Sequence, residues 1–318
     1  MIIILFVLIN ESRLMNNEYH IPVLLNESVD GLDLKKGGRY VDVTFGGGGH
    51  SREILRRLEG GSLVAFDRDP DAKANLIEDD RLVFVAEDFK FLETALQERS
   101  LVPVSGILAD LGISSHQIDT PDRGFSFRFD APLDMRMNPN QEFSAQVLLN
   151  EYEEEEIAQV LHRFGEVPAA RKAARVIVEY RNRRPLQTTN DLKQALERAI
   201  PPKRQAKYLA QVYQGLRIAV NGELESLAKL LNGALQVLAP GGRLAVISYH
   251  SLEDRMVKRF LRSGNFDGKE EKDFYGNSLS PWKLITRKAI MPSEAEIAQN
   301  PRARSARLRI AEKKLIEQ

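Results

Sequence analysis

Apolar positions follow two rhythms along the chain. Between Arg39 and Gly112 lie four short apolar runs, RYVDVTF, SLVAFDRD, RLVFVAEDF and VSGILADLG, each ending in glycine or an acid. Runs of this length with such ends predict buried strands. Between the first two, HSREILRRL places Ile54, Leu55 and Leu58 at helical spacing. Strands punctuated by helices predict a parallel sheet with crossover connections. From Ser144 to about Leu209 the rhythm is helical. Ile157, Val160, Leu161 and Phe164 share one face, with Gly165 as a stop. Ala173, Val176, Ile177 and Tyr180 share another, and TTNDLKQALERAIPP reads as a capped helix ended by prolines. The stretch Glu223–Ser251 then returns to helix, turn and strand. The expected architecture is α/β: a mostly parallel sheet formed by residues 19–120 and 211–318, an inserted all-α domain at 121–210, and an N-terminal extension at 1–18.

Composition narrows the chemistry. The 318 residues suffice for one large domain or two ordinary ones, and 43% hydrophobic with 28% charged is a globular balance. There is no cysteine, which excludes disulfides, thiolate metal sites and cysteine nucleophiles and fits a reducing compartment. A cytoplasmic location is expected. The five histidines show no ligand spacing, so no metal site is expected. The apolar start, Ile2–Ile9, is shorter than the about 20 residues a membrane helix takes, and neither a preceding base nor a cleavage site marks a signal peptide. No membrane partner is expected. That start reads as a dispensable extension or an extra edge strand, with Met15 an alternative first residue.

Formal net charge is zero, but charge is segregated. Five acids lie in Glu151–Glu156, while Arg171–Arg184 and Arg302–Lys314 each carry six bases against one acid. Either basic block alone is as readily a solvated face; two together point to a polyanion partner.

Four glycines, Gly46–Gly49, end the first apolar run. A glycine-rich turn between strand and helix lets a ligand sit against bare backbone, and an acid about 20 residues later holds ribose hydroxyls. Asp67 lies 21 residues after Gly46, at the end of the second run. The dinucleotide pattern GxGxxG is met in part, by Gly46 and Gly48 and then Ser51, and no Walker lysine follows. Asp42, within the first run, would repel a pyrophosphate and suits an ammonium. With Asp67, Asp88 and Asp110 it makes four acids at successive strand ends, where open α/β sheets bind ligands. A cationic nucleoside fits, and S-adenosylmethionine carries both a sulfonium and an ammonium.

The blocks HIPVLLNE, TFGGGGHS, DRDP, DLGISSHQID, RGFSF, PLDMRM, LRIAVN, LAPGGRLAVISYHSLEDR and NPRARSARLR resemble the bacterial MraW/RsmH family from His20 to about Glu312. Two departures are Gly47, where a larger polar residue is expected, and VYQGLRI in place of a TFQALRI-like string. The resemblance implies a class I S-adenosylmethionine-dependent methyltransferase of Rossmann-like fold. It implies methylation of the exocyclic N4 of a decoding-centre cytosine in 16S rRNA, within the small ribosomal subunit. It places cofactor contacts at Gly48, Gly49, His50, Asp67, Phe89, Asp110 and Gln117. Oligomeric state is left open, a homodimer included.

Methylating cytosine carbon-5 normally needs a cysteine adduct, which this chain cannot make; amino methylation needs none. The amino nitrogen must be positioned in line with the methyl group and must lose a proton. Asp110 is the first candidate for that role. His250, Ser251 and Asp254, in SYHSLEDR after the returning strand, are second candidates. Because the cofactor edge is acidic, RNA contact is expected from Arg171, Lys172 and Arg175 of the insertion and from Arg302 and Arg304 of the tail. Other readings are a class I methyltransferase for another amino group, an NAD-dependent oxidoreductase, and a non-catalytic RNA-binding assembly factor.

Overall fold

The computed structural model describes residues 22–201 and 203–315; the N-terminal extension expected at 1–18, with its edge-strand and alternative-start readings, lies outside them. Helix α1 (Leu25–Leu32) leads into β1 (Arg39–Asp42), α2 (Gly49–Arg57), β2 (Ser62–Phe66), β3 (Leu82–Val85), α3 (Leu92–Glu98) and β4 (Val104–Asp110). After α4 (Ser115–Asp119) come the insertion helices α5 (Ala145–Glu151), α6 (Glu154–Arg163), α7 (Ala170–Arg181), α8 (Thr189–Leu196) and α9 (Gln205–Asn221). The chain returns through α10 (Glu223–Val237), β5 (Leu238–Ser248), α11 (Ser251–Ser263), β6 (Trp282–Leu284), α12 (Glu294–Gln299) and β7 (Arg307–Lys313).

The seven strands form one sheet in the order β3-β2-β1-β4-β5-β7-β6. The first five run parallel, and β7 lies antiparallel to both β5 and β6. This is the mostly parallel α/β sheet expected from the apolar runs. All four strands read from the apolar runs are present.

Successive residues of a strand point to opposite faces. Leu108, Ala245 and Ile247 pack with α1 and α2 on one side. Ile107, Ala109, Leu244 and Val246 pack with α3, α10 and α11 on the other. The central strands are therefore apolar on both faces, as a parallel sheet requires. A third apolar cluster belongs to the insertion and runs from Phe125 to Val220. It includes Leu209, Val212, Leu216 and Val220 of α9, so the helical packing continues past residue 210. Gly215, in the departing VYQGLRI string, lets α9 approach closely: a Cβ there would lie 3.0 Å from the Gly165 backbone.

Polar ties hold the insertion against the sheet. Arg123 reaches from the insertion to Asp69, with Nη2 2.9 Å from its carboxylate. Within the insertion, Asn221 Oδ1 accepts from the Met137 N–H at 2.7 Å. Ser251 and Arg255 of α11 both donate to the Glu166 carboxylate, at 2.8 and 3.2 Å. None of the described helices is long and apolar enough to cross a membrane.

Candidate functional site

The carboxyl ends of β1, β2 and β4 open into a cavity of about 620 Å³. Its walls include Gly46, Gly47, Gly49, His50, Asp67, Phe89, Asp110 and Gln117. At one end, the Asp67 carboxylate accepts the N–H of Gly46 at 2.7 Å and that of Asp69 at 2.8 Å. One oxygen serves each donor, so each keeps a lone pair for a ligand hydroxyl. Burial pushes the Asp67 pKa up to about 6, against those two backbone donors. Gln117 is buried at the base of α4, closes a capping box with Ser114, and donates its amide to Asp69 at 2.7 Å.

The glycine run has several causes. Gly48 starts α2 at φ 74°, a left-handed conformation that suits glycine. A Cβ on Gly49 would collide with the Pro22 ring at 2.1 Å, so Gly49 admits the N-terminal segment. A Cβ on Gly47 would meet nothing within 4 Å, which is why a larger residue could equally stand there.

At the other end, Asp110 terminates β4. Its Oδ1 accepts the Tyr249 hydroxyl at 2.8 Å, and its Oδ2 lies 3.8 Å from His50 Nδ1. Burial pushes the Asp110 pKa up to about 6, opposed by His50 and Tyr249. Tyr249 stays a donor, because burial and the adjacent Asp110 raise its own pKa far above the usual phenol value. Glu253, Glu223 and Arg217 line the same cavity. Arg217 Nε and Nη2 hold the two Glu223 oxygens at 2.8 and 2.9 Å. Glu253 is held below the usual carboxylate range: burial acts upward, but His250 and Arg217 outweigh it.

Several expectations need correction. Of the four strand-end acids, Asp67 and Asp110 reach the cavity wall and Asp42 and Asp88 do not. Asp42 is 1% exposed, and its oxygens accept Ser51 Oγ at 2.6 Å and the Thr44 N–H at 3.0 Å. It braces the glycine turn through Thr44 and Ser51. Asp88 pairs with Arg68 at 3.0 Å. Gly48 is likewise off the wall. Asp254 is bound by Arg309 at 2.7 Å and Arg307 at 3.3 Å, a tie between α11 and β7 away from the cavity. His250 caps α11: its Nδ1 accepts the Glu253 N–H at 3.4 Å. Ser251 faces Glu166. Arg302 does line the cavity, but its guanidinium is spent on Asp119 and Ser115. Arg171 and Arg175 come within 4.0 and 3.8 Å of Glu155 and Glu154, so the acidic run faces the basic helix and offsets it. Among the described residues, Lys172 and Arg304 are exposed without such a partner.

Glu223, His250 and Glu253 bring one ligand atom each within 4.8 Å of one another. Arg217 already holds Glu223, and His250 Nε2 lies 3.2 Å from Glu253 Oε1. Tyr249, Glu253, Glu223 and Arg217 escaped the sequence reading. Tyr249 stands one residue before His250, and only the pairing of β4 with β5 brings it to Asp110.

Known proteins bear on this geometry. A family model described as the MraW methylase family matches residues 17–314. The chain belongs to that family. A ribosomal RNA small subunit methyltransferase H of Flavobacterium johnsoniae is 54% identical over 297 residues, covering 93% of this chain and 98% of that relative. One of Bacteroides thetaiotaomicron is 51% identical over the same length, with the same two coverages. The cofactor of this MraW-family chain is S-adenosylmethionine. The cavity fits it: Asp67 has lone pairs for ribose hydroxyls, the glycine turn leaves open backbone at Gly47, and the wall is acidic, as a cationic ligand needs.

Proposed function

We propose that the chain transfers a methyl group from S-adenosylmethionine to the exocyclic N4 of a decoding-centre cytosine in 16S rRNA of the small ribosomal subunit. The observation that carries this reading is the Asp110–Tyr249 pair on the cavity wall, a partly buried carboxyl with a pKa of about 6. When bound, the cofactor supplies a methyl carbon already activated by its sulfonium. The chain's task is placement and proton handling. Asp67 and the glycine turn hold the nucleoside, with Phe89 and Gln117 on the same wall. Asp110 accepts the proton that the amino nitrogen sheds, and a pKa near 6 leaves it ionised and still basic at neutral pH. Tyr249 donates to Asp110 and fixes which carboxylate edge faces the cavity. The absence of cysteine favours an amino nitrogen over carbon-5 as the acceptor.

RNA phosphates are best met beside the cavity mouth, on the segment before β7. Arg304 is exposed there. Arg287 and Lys288, also exposed, lie between Thr286, bonded to Ile310, and Ile290, paired with Leu308. That puts them near the end of β7 that pairs with Ser248, the cofactor edge of the sheet. Lys172 and its neighbours on α7 are the second candidate.

Small subunits incubated with the protein and methyl-labelled cofactor test the reading, with nucleoside analysis of the recovered rRNA. N4-methylated cytosine is expected. Label on a different amino group would assign another substrate to the same fold, and subunit binding without label would make the chain an assembly factor.

A further inference from the structure

Helix α11 separates its charges completely. Both of its acids point inward. Glu253 is 3% exposed and accepts the N–H groups of Tyr249 and His250. Asp254 is 7% exposed and bound by Arg307 and Arg309. Its bases, Arg255, Lys258, Arg259 and Arg262, are all exposed. Spacings of three and four residues put them on one face. The helix dipole favours a base in the last turn, which accounts for Arg262 but not for Arg255 near the start. Arg255 and Arg262 each meet one acid, Glu166 at 3.2 Å and Glu270 at 3.4 Å. Among the described residues, Lys258 and Arg259 form no ion pair.

The basic face continues at both ends. Beside Arg255 a cleft of about 630 Å³ separates α11 from the turn between α6 and α7, and the exposed Arg163 stands on its far wall. At the other end comes the loop 264–281, tied back to α11 by the Glu270–Arg262 pair. This loop then turns sharply and presents Phe274 and Tyr275, 97% and 86% exposed. The turn is firmly built. The Asp273 carboxylate accepts the N–H groups of Tyr275 and Asn277, each at 2.8 Å, and the Asn277 side-chain amide at 2.9 Å. The two rings meet edge to face with centroids 5.6 Å apart. Single apolar residues are ordinary on a surface, but adjacent aromatics held out in water by a fixed turn bury almost nothing of their own and mark a contact site.

We infer that α11 and the loop after it form a second RNA-binding surface, on which Arg163, Lys258 and Arg259 meet phosphates and Phe274 and Tyr275 stack on unpaired bases. This rests on the proposed rRNA reading and adds a surface separate from Arg287, Lys288 and Arg304. A positive track beside exposed aromatics is the combination that binds single-stranded nucleic acid, the charges following the backbone and the rings taking unstacked bases. The placement suits a flanking contact. Strand β5 ends at Ser248 on the cofactor edge, and α11 starts at Ser251. At 1.5 Å per residue, Arg255 lies about 6 Å along the helix from its start and Arg262 about 16 Å. The inner face of the same helix carries Glu253 to the cavity wall. One helix therefore touches the cavity on one face and offers on the other a track leading away from it.

Binding of the full chain to small ribosomal subunits and to protein-free 16S rRNA, measured across a salt series, tests this by two signatures. Lys258→Ala with Arg259→Ala removes two phosphate contacts. The slope of log affinity against log salt should shrink by about 0.7 for each, and affinity near physiological salt should fall by about tenfold. Phe274→Ala with Tyr275→Ala should weaken binding by about fivefold or more at an unchanged slope, because stacking releases no counterions. Both should raise the KM for subunits and leave kcat alone. Lys258→Arg with Arg259→Lys keeps the charge and should keep the parent slope. Lys35→Ala with Lys36→Ala, at exposed bases before β1, removes equal charge elsewhere and should change little. Unchanged S-adenosylmethionine affinity in each variant shows an intact fold. A parent-like slope in the Lys258 and Arg259 variant, or a loss no larger than in the Lys35 and Lys36 control, overturns the phosphate track. Parent-like affinity in the aromatic variant overturns the stacking. So does a loss on subunits without one on protein-free rRNA, which would assign the two rings to a ribosomal protein. Binding is read without regard to which atom is methylated, so failure of the N4 reading shows separately, as a different labelled nucleoside in the recovered rRNA.

Discussion

The two ends of the cavity are built differently. The Asp67 end is local: Gly46, Asp67 and Asp69 sit on the turns after β1 and β2, and the contacts among them are made by backbone N–H groups. The Asp110 end is assembled from a distance. Asp110 comes from β4, Tyr249 and Glu253 follow β5, and Arg217 and Glu223 flank the junction of α9 with α10. The insertion of α5–α9 separates these segments along the chain and reunites them in space. One wall of the cavity is thus carried by a single βαβ unit, whereas the other depends on what is inserted into the sheet.

If the two ends act separately, damage to them should be separable. The largest effect is expected from Asp110→Asn. Loss of a general base costs about 10²–10⁴ in rate, so single-turnover methyl transfer should fall by about that factor while cofactor affinity changes little. A parallel fall in affinity would merge the two ends. The same variant should be more stable than the wild type at neutral pH. The folded-state pKa of about 6 lies above the ordinary 3.8, so the native state binds more protons than the unfolded one between those values. This carboxyl's contribution therefore falls as pH rises through that window and stays low above it. Removing it should raise stability by about 1–3 kcal/mol at pH 8, a gain that fades toward pH 4, checked by thermal melts at both pH values.

Asp67→Ala comes next. Each charge-assisted hydrogen bond contributes about 1.5–3 kcal/mol, so cofactor affinity by calorimetry should fall by at least about tenfold. Turnover at saturating cofactor should fall much less. Affinity equal to the wild type would remove Asp67 from the site.

Tyr249→Phe is smaller, with a loss of about tenfold in turnover, the order of one hydrogen bond. Its sharper reading is the pH profile. The Tyr249 hydroxyl lowers the Asp110 pKa, so its removal should move the acid limb of activity upward from about 6. An unmoved limb would mean that Asp110 is not the group titrating.

The smallest effects concern RNA. Arg287, Lys288 and Arg304 changed together to Ala should weaken subunit binding and reduce its salt slope by about 0.7 per lost phosphate contact. Arg171, Lys172 and Arg175 changed together should do less, because Glu154 and Glu155 already face two of them. The reverse ranking would put the insertion's α7 back in first place.

The sequence alone determined the sheet, the interruption by helices, and Asp67 as an acid at the end of β2 on the cavity wall. These depend on short-range order: apolar runs of strand length, helical spacing, and a glycine turn followed by an acid at a fixed distance. Where a side chain points was not legible. Asp42, Asp67, Asp88 and Asp110 all occupy strand ends, yet Asp42 turned to Ser51 and Asp88 to Arg68. Asp254 and His250 share a motif with Tyr249 and Glu253, but Asp254 met Arg309 across the antiparallel β7. The segregated charge of the linear chain also misled, since α6 and α7 pack side by side and bring acids to bases. Tertiary structure decided these points because an ionisable side chain takes the partner that folding brings within reach, and the desolvation cost of a buried charge makes that pairing compulsory. Strand pairing and helix packing choose the partner over tens to hundreds of residues, a range that no local spacing encodes.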